Sequence, residues 1–546
     1  MMLTRRTLLA AGAAAVAAPA LAQSIVSDIA DVSQPVMLDD RIARGYRRDV
    51  LIRWGDRVAF DAPPWNPHVP TPEAGATQFG WDARVVAILR PPPAADGVPR
   101  LILAATHAEV DPAMAFPALR PMPRVEQGMV GASLVNLMWA GGRWVVVDGG
   151  FQARRITATT LCRFAGPAAG HVQLRTAEDP VGMAARGVLR AEGGCATPWG
   201  TLLLAEGDAT AELAAWRGGA ANEVNRAGWL VELDPLDPTS VPVKHTAPGR
   251  FAREDVAVAR ARDGRPVLYM SEARADGFLY RFVAARVPDG ESAEANTTLL
   301  DEGQLAVARV ENATLTWRPL PARAEALIDA RAEAEAAGAT PFDRPAGLAV
   351  HPDGRLFLAC RGNPMRAART DALNPRAVNS FGHVVEITPA NRDHAAATAT
   401  GAVLILGGDP RQPGATARYG SGTLVWLAAP AVLEVDPRGR LLIGTAQGTL
   451  QRTTGIADGI YVCGTDAGAG RGVLNLLYAA PRAARIGGLR LSPDAATLFS
   501  AVRTPGAEDG ADFTRPATRW PAFEPAVPPR TTVIAIARAA GGAIGG

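Results

Sequence analysis

"GRFAREDVAVARARDGRPVLYMSEARADGFLYRF", from Gly249 to Phe282, reads as strand, turn, strand, turn, strand. Val256-Ala257-Val258-Ala259 is apolar with strong β tendency, and Asp263-Gly264 supplies a tight turn. Pro266 to Met270 rises again, and Asp276-Gly277 turns a second time before Phe278 to Val283. Glu254 stands just before the first strand and Glu272 just after the second. A hairpin joins those two ends, so the spacing predicts both carboxylates on one rim of a small sheet. That rim either holds a cation or faces water as a solvated edge.

The same turn-then-strand unit recurs along the chain. It appears as "RDGRPVLYMS" from Arg262, "HPDGRLFLAC" from His351, "DPRGRLLIGT" from Asp436 and "SPDAATLFSA" from Ser492. Looser copies are "GGRWVVVDGG" from Gly141 and "WGTLLLAEG" from Trp199. Repeated units of this kind predict an all-β chain, a β-propeller whose blades surround a channel. A pair of β-sandwiches would give a similar texture. One helical insertion is expected over 322–337, rich in helix formers and stopped by Gly338; it is expected as an appendage on the propeller's side. Pro91-Pro92-Pro93 and the prolines between 525 and 529 mark surface loops. With no linker in sight, 23–546 reads as one domain whose core begins near residue 40.

The 546 residues are 48% hydrophobic and 20% charged, with a formal net charge of +2. Two of those positive charges, Arg5 and Arg6, belong to "LTRRTLLAAGAAAVAAPALAQ". This stretch has a twin arginine, a short apolar run and Ala20-Leu21-Ala22 as an A-x-A cleavage site, so 1–22 reads as a twin-arginine signal peptide. The export machinery is then a partner, and the mature protein is expected in the periplasm or secreted. Export of folded protein suits a cofactor loaded in the cytoplasm. No second segment can span a membrane, and no basic stripe with interleaved aromatics supports nucleic-acid binding. Basic residues are arginine with the sole exception of Lys244. The cysteines at 162, 195, 360 and 463 form no C-x-x-C pair and read as buried free thiols.

Several blocks carry a resemblance. "QFGWD" (Gln78 to Asp82), "ARRIT" (Ala153 to Thr157), "GPAAG" (Gly166 to Gly170) and "TPWGT" (Thr197 to Thr201) come first. The most specific is "GWLVELDPLDPTSVPVKHTAPGRFARED", Gly228 to Asp255. "GATPFDRP" from Gly338, "NPRAVNSFGHVVEI" from Asn374 and "RWPAFEPAVPPRTTVIAIARAAGGAIG" near the end follow in order. The chain resembles the PhoX-type alkaline phosphatases. The resemblance implies a six-bladed propeller with loop and helix insertions and a twin-arginine export route. It also implies phosphomonoester hydrolysis by iron and calcium at the channel mouth. Such ions polarise phosphoryl oxygens and neutralise developing charge, and they need many carboxylates together.

Position by position, the resemblance makes Glu206, Glu254, Glu272 and Glu192 the candidate metal ligands. Glu192 falls where the family has a cysteine, with Cys195 three residues away. Arg344 is the candidate phosphate-binding residue; no catalytic residue is assigned. Elsewhere acids and histidines of the family pattern are replaced. Its Asn-His-Glu is Thr106-His107-Ala108, its Arg-Pro-Glu is Arg344-Pro345-Ala346, and its Pro-Asp-Asn is Pro430-Ala431-Val432. Its Thr-Asp is Thr445-Ala446, a family glutamate falls at Arg485, and its Gln-His-Pro-Gly is Arg503-Thr504-Pro505-Gly506. Two readings follow. One is a phosphatase-like enzyme with a reduced or altered metal site, a single calcium being conceivable and iron doubtful. The other is a catalytically inactive propeller that takes an anionic ligand or protein at a mouth lined by Arg253, Arg344 and Arg485.

Overall fold

The computed structural model describes residues 29, 31–218, 220 and 222–546. The signal-peptide expectation for 1–22 lies outside them. Within them the opening hairpin is present in register. Arg253–Arg260 pairs antiparallel with Pro266–Glu272, which pairs with Leu279–Ala284. Gly264 makes its turn at a φ of 93°, a value only glycine adopts without strain.

That hairpin begins the third of six blades. The innermost strands are, in chain order, Arg84–Leu89, Ala191–Ala196, Arg253–Arg260, Pro345–Val350, Pro430–Val435 and Arg485–Leu491. Each starts a sheet that steps outward, antiparallel except where Val243–His245 pairs parallel with Leu161–Ala165 in the second blade, and each packs against the next until the sixth meets the first. The ring closes through strands from both ends of the chain: Tyr46–Arg53 pairs with Thr532–Arg538 in the sixth blade. Arg41–Ile42 adds a strand to the fifth. Blades three and four share one continuous sheet through their outer strands, Thr314–Pro319 on Thr398–Leu406.

Apolar faces alternate along these strands and fill the space between blades. Val256, Leu268, Met270 and Phe282 are buried with Trp199, Leu203 and Leu230 of the second blade. Ala257, Val267 and Tyr269 face the opposite way, onto Leu348, Leu356 and Leu358 of the fourth. Each buried side chain of Leu or Met size contributes about 1.5–3 kcal/mol, so the ring is held by adjacent blades rather than within one sheet.

Two features aim side chains at the channel. All six innermost strands carry a bulge, at Val85/Ala87, Ala191/Gly193, Arg253/Asp255, Pro345/Leu348, Pro430/Val432 and Gly487/Leu489. A bulge inserts one unpaired residue and turns its side chain out of the ladder. Side chains then cross the channel. Arg490 donates to the Val86 and Gly194 carbonyls and pairs with Glu434 at 3.1 Å. Asp255 accepts from the Leu348 N–H at 3.1 Å and forms an ion pair with Arg84 at 3.1 Å.

The helical insertion differs from expectation. It is two short helices, Ala324–Ile328 and Ala330–Ala336, broken at Asp329. Leu327, Ala330 and Ala334 bury into the core of the third blade, and the Arg250 N–H donates to the Leu327 carbonyl. The insertion therefore sits over the rim end of that blade.

Candidate functional site at the channel mouth

The six innermost strands begin at one end of the channel, and the second strand of each blade ends there. Rim positions are thus filled from both strands: Arg84 opposite Thr106, Glu192 beside Glu206, Glu254 beside Glu272, Arg344 beside Arg361, Pro430 opposite Thr445, and Arg485 opposite Arg503. Glu192 and Glu254 are the bulge residues of their strands, as Ala346 and Ala431 are at the bulges of theirs.

The rim backbone is strained. Arg190, Arg344, Ala429 and Thr504 have φ values of 47°, 55°, 52° and 46°. Each such left-handed non-glycine residue costs on the order of 1–3 kcal/mol and persists only where its surroundings impose it.

The four predicted acids do not converge. Glu206 is fully buried; its carboxylate accepts from Lys244 Nζ at 2.8 Å and from the Leu189 and Trp229 N–H groups. The lone lysine of the chain is thus its counter-ion. Glu272 lies at the same end of the hairpin as Glu254 but turns the other way, pairing with Arg331 at 2.6 Å and facing Arg274 at 3.8 Å. Burial still raises its pKa, against the pull of Arg331. Glu254 turns into the channel and meets Arg84 at 3.4 Å. Glu192 lies 3.7 Å from Arg503 and 3.9 Å from Arg190. Burial, then the charge of Glu254, raises its pKa to about 7 against those two arginines.

The remaining rim groups are mainly cationic. Arg503 grips Asp82 through two donors, its Nε at 2.8 Å and its Nη2 at 2.5 Å. Arg190 pairs with Glu109 at 2.7 Å and Glu212 at 3.1 Å, and Arg485 faces Glu109 at 3.6 Å. Arg361 donates to the Ala446 carbonyl, while its buried Nε has no hydrogen-bond partner. Burial lowers its pKa; Glu254 opposes this, and Arg344, Arg485 and Arg503 add to it. Arg344 is exposed and in electrostatic reach of Arg361. Six guanidinium groups (84, 190, 344, 361, 485, 503) therefore meet six carboxylates (82, 109, 192, 212, 254, 255).

Arg253 corrects the sequence reading. It is not at the open mouth: fully buried and over the Phe251 ring at 4.0 Å, it donates to the carbonyls of Gly228, Pro248 and Gly249. His107 is likewise internal, with Nε2 2.7 Å from Ser133 Oγ, and burial holds its pKa well down. Sequence reasoning missed Arg361, Arg503 as the Asp82 partner, and Arg190. Aligning the repeats would have found the first. The residue after "LYMS" is Glu272, after "LFLAC" Arg361 and after "LLIGT" Ala446.

This donor set does not fit a polynuclear metal cluster. Among the described residues, no three His, Cys, Asp or Glu side chains gather as a metal-binding group. Glu206 and Glu272 are each neutralised by a buried or half-buried cation.

The ring and its charged mouth define a class: a six-bladed propeller with a cluster of arginines at one end of its channel. Residues 32–506 match the family described as alkaline phosphatase PhoX, and the chain belongs to that family. Among solved structures it is similar to Pseudomonas fluorescens PhoX in complex with vanadate, a transition state analogue. That match has 28% identity and a TM-score of 0.87, covering 95% of this chain and 99% of that one. A gluconolactonase from Xanthomonas campestris matches at 13% identity and TM-score 0.30, covering 84% and 96% of the two chains. A search of curated proteins returned no match. No helix among the described residues is long and apolar enough to cross a membrane.

Proposed function

We propose that this chain is an exported, phosphatase-like PhoX protein that binds phosphomonoester-class anions at the rim through arginines, where its family uses metal ions. Arg344 and Arg361 from the fourth blade, with Arg485 and Arg503 from the sixth, hold the phosphate. The observation that carries this reading is the convergence of like charges on Arg361, whose Nε is buried without a partner. A phosphate dianion would relieve that repulsion and accept from unspent donors, and charge-assisted bonds to guanidinium are among the strongest available. The twin arginine at Arg5 and Arg6 supports export, with the periplasm or the outside of the cell as the destination.

Inorganic phosphate should bind chelator-treated protein, shown metal-free by elemental analysis, in a calorimetric titration. Affinity should fall with rising salt. No binding until iron and calcium are returned would sink the reading.

One observation favours a second reading, a reduced metal site. Burial, joined by the charge of neighbouring Glu254, raises the pKa of Glu192 to about 7. A single calcium between them, completed by water or carbonyls, would stabilise both charges. Calcium titration above pH 7, alongside a phosphomonoester assay, separates this reading from the first.

A further inference from the structure

A cavity of about 240 Å³ lies outside the channel, between the second and third blades, with the helical insertion as one wall. Glu272 reaches it from the rim, on the side turned away from the channel, and Asp208, Arg250 and Arg274 join it from loops of the two blades. The break between the two short helices sets Asp329 at its edge, and Arg331 follows from the second helix. Three carboxylates and three guanidiniums therefore share one small space.

These charges do not close on one another. Only Arg331 is tight, donating to Glu272 Oε2 at 2.6 Å. Arg274, about half exposed, stands 3.7 Å from Asp208 and 3.8 Å from Glu272, and Arg250 stands 4.0 Å from Asp329. Those gaps exceed hydrogen-bond length. At the floor of the cavity the demand is sharper. Glu272 is fully buried, and its Oε1 has no hydrogen-bond donor. A buried carboxylate oxygen left so is destabilising, and a ligand that brings a donor gains what the protein alone forgoes. A metal ion fits poorly here. The arginines equal the acids in number, and among the described residues no three His, Cys, Asp or Glu side chains gather as a metal-binding group.

We propose that this cavity binds a compact zwitterion of the α-amino-acid class. The ammonium supplies the donor missing at Glu272 Oε1, in the field of Asp208 and Asp329. The carboxylate accepts from Arg250 and Arg274, the two guanidiniums that no carboxylate holds tightly. A lining of balanced charge favours a ligand that carries both signs over a simple amine or a simple anion. Val224 and Ile328 complete the wall and suit a short alkyl side chain. The site shares no arginine with the proposed phosphate cluster, so it stands or falls independently of that reading.

The test is calorimetric titration of the full chain with L-alanine, propylamine and propanoate at low salt. L-alanine should bind about tenfold more tightly than either control, each of which carries one of its two charges. Saturating inorganic phosphate at matched ionic strength should leave L-alanine binding in place. Glu272→Gln, with its fold checked by a thermal melt, should weaken L-alanine about tenfold or more. Arg274→Gln, a change at a half-exposed side chain that does not put the fold at stake, should do the same and leave propylamine unaffected. L-alanine binding no more tightly than either control, its displacement by phosphate, or an affinity unchanged in Arg274→Gln overturns the site.

Discussion

The rim of the channel has an acidic arc, from the second and third blades, and a basic arc, from the fourth and sixth. In the acidic arc two of the four carboxylates are spoken for. Glu206 is locked to Lys244 and two backbone N–H groups, and Glu272 to Arg331. In the basic arc the accounts are open: Arg361 keeps a buried Nε without an acceptor and Arg344 is exposed. Residue type alone would assign ligand binding to the acids. Partner geometry supports the proposed arginine site instead, because a charge already neutralised at 2.8 Å in the interior has little left to give a ligand.

The sharpest way to break this comparison is to free an acid. Lys244→Met should leave Glu206 buried and uncompensated, lowering unfolding stability by about 3–5 kcal/mol. Adding Glu206→Gln should recover much of the loss. Urea denaturation of both variants checks this, and a harmless Lys244→Met would mean that Glu206 is not locked. Next in size is the basic arc. Arg361→Ala and Arg485→Ala should each weaken phosphate binding roughly tenfold or more, the loss expected for a charge-assisted bond of about 1.5–3 kcal/mol. Calorimetry with folded variants gives the answer.

A third expectation concerns a buried acid–histidine bolt behind the acidic arc. His245 is fully buried between Asp301 at 2.9 Å and Glu232 at 2.7 Å. Burial opposes its charge, yet the hydrogen bonds it donates to Asp301 and Glu232 prevail and raise its pKa from 6.5 to about 9. The raised folded-state value means the imidazolium stabilises the protein fully below pH 6.5. That stability is lost as pH climbs through 9, by on the order of 2–3 kcal/mol. Thermal melts from pH 6 to 10 should show the decline, and His245→Gln should flatten it. The smallest effect is a gain. Ala346→Glu with Ala431→Asp should add acids beside Glu192 and Glu254 and give weak calcium binding, with a Kd in the millimolar range typical of sparse carboxylate sites.

The fold was largely readable because the repeats state it. Each "turn-then-strand" unit except the looser copy at Gly141 became the first hairpin of a blade, and the hairpin from Gly249 onward has the register its turns imply. The site was less readable because sequence shows which residues reach the rim but not which way they turn. Glu254 and Glu272 share one end of one hairpin, yet a bulge sends the first into the channel and leaves the second against Arg331. Arg253 failed for a similar reason, since nothing in "GRFARED" says that its guanidinium folds back onto three carbonyls. Arg361 hid behind Cys360 at the end of a strand that otherwise reads as core.

The bulges of the inner strands have one further implication. They persist at 346 and 431, where alanines now stand, so the bends that would present a ligating side chain outlast the ligand itself. Shape and charge at this rim are then separately editable. A handful of side-chain exchanges can turn a receptacle for cations into one for anions with no change in the path of the chain. Divergence within such a ring can proceed by repainting its mouth.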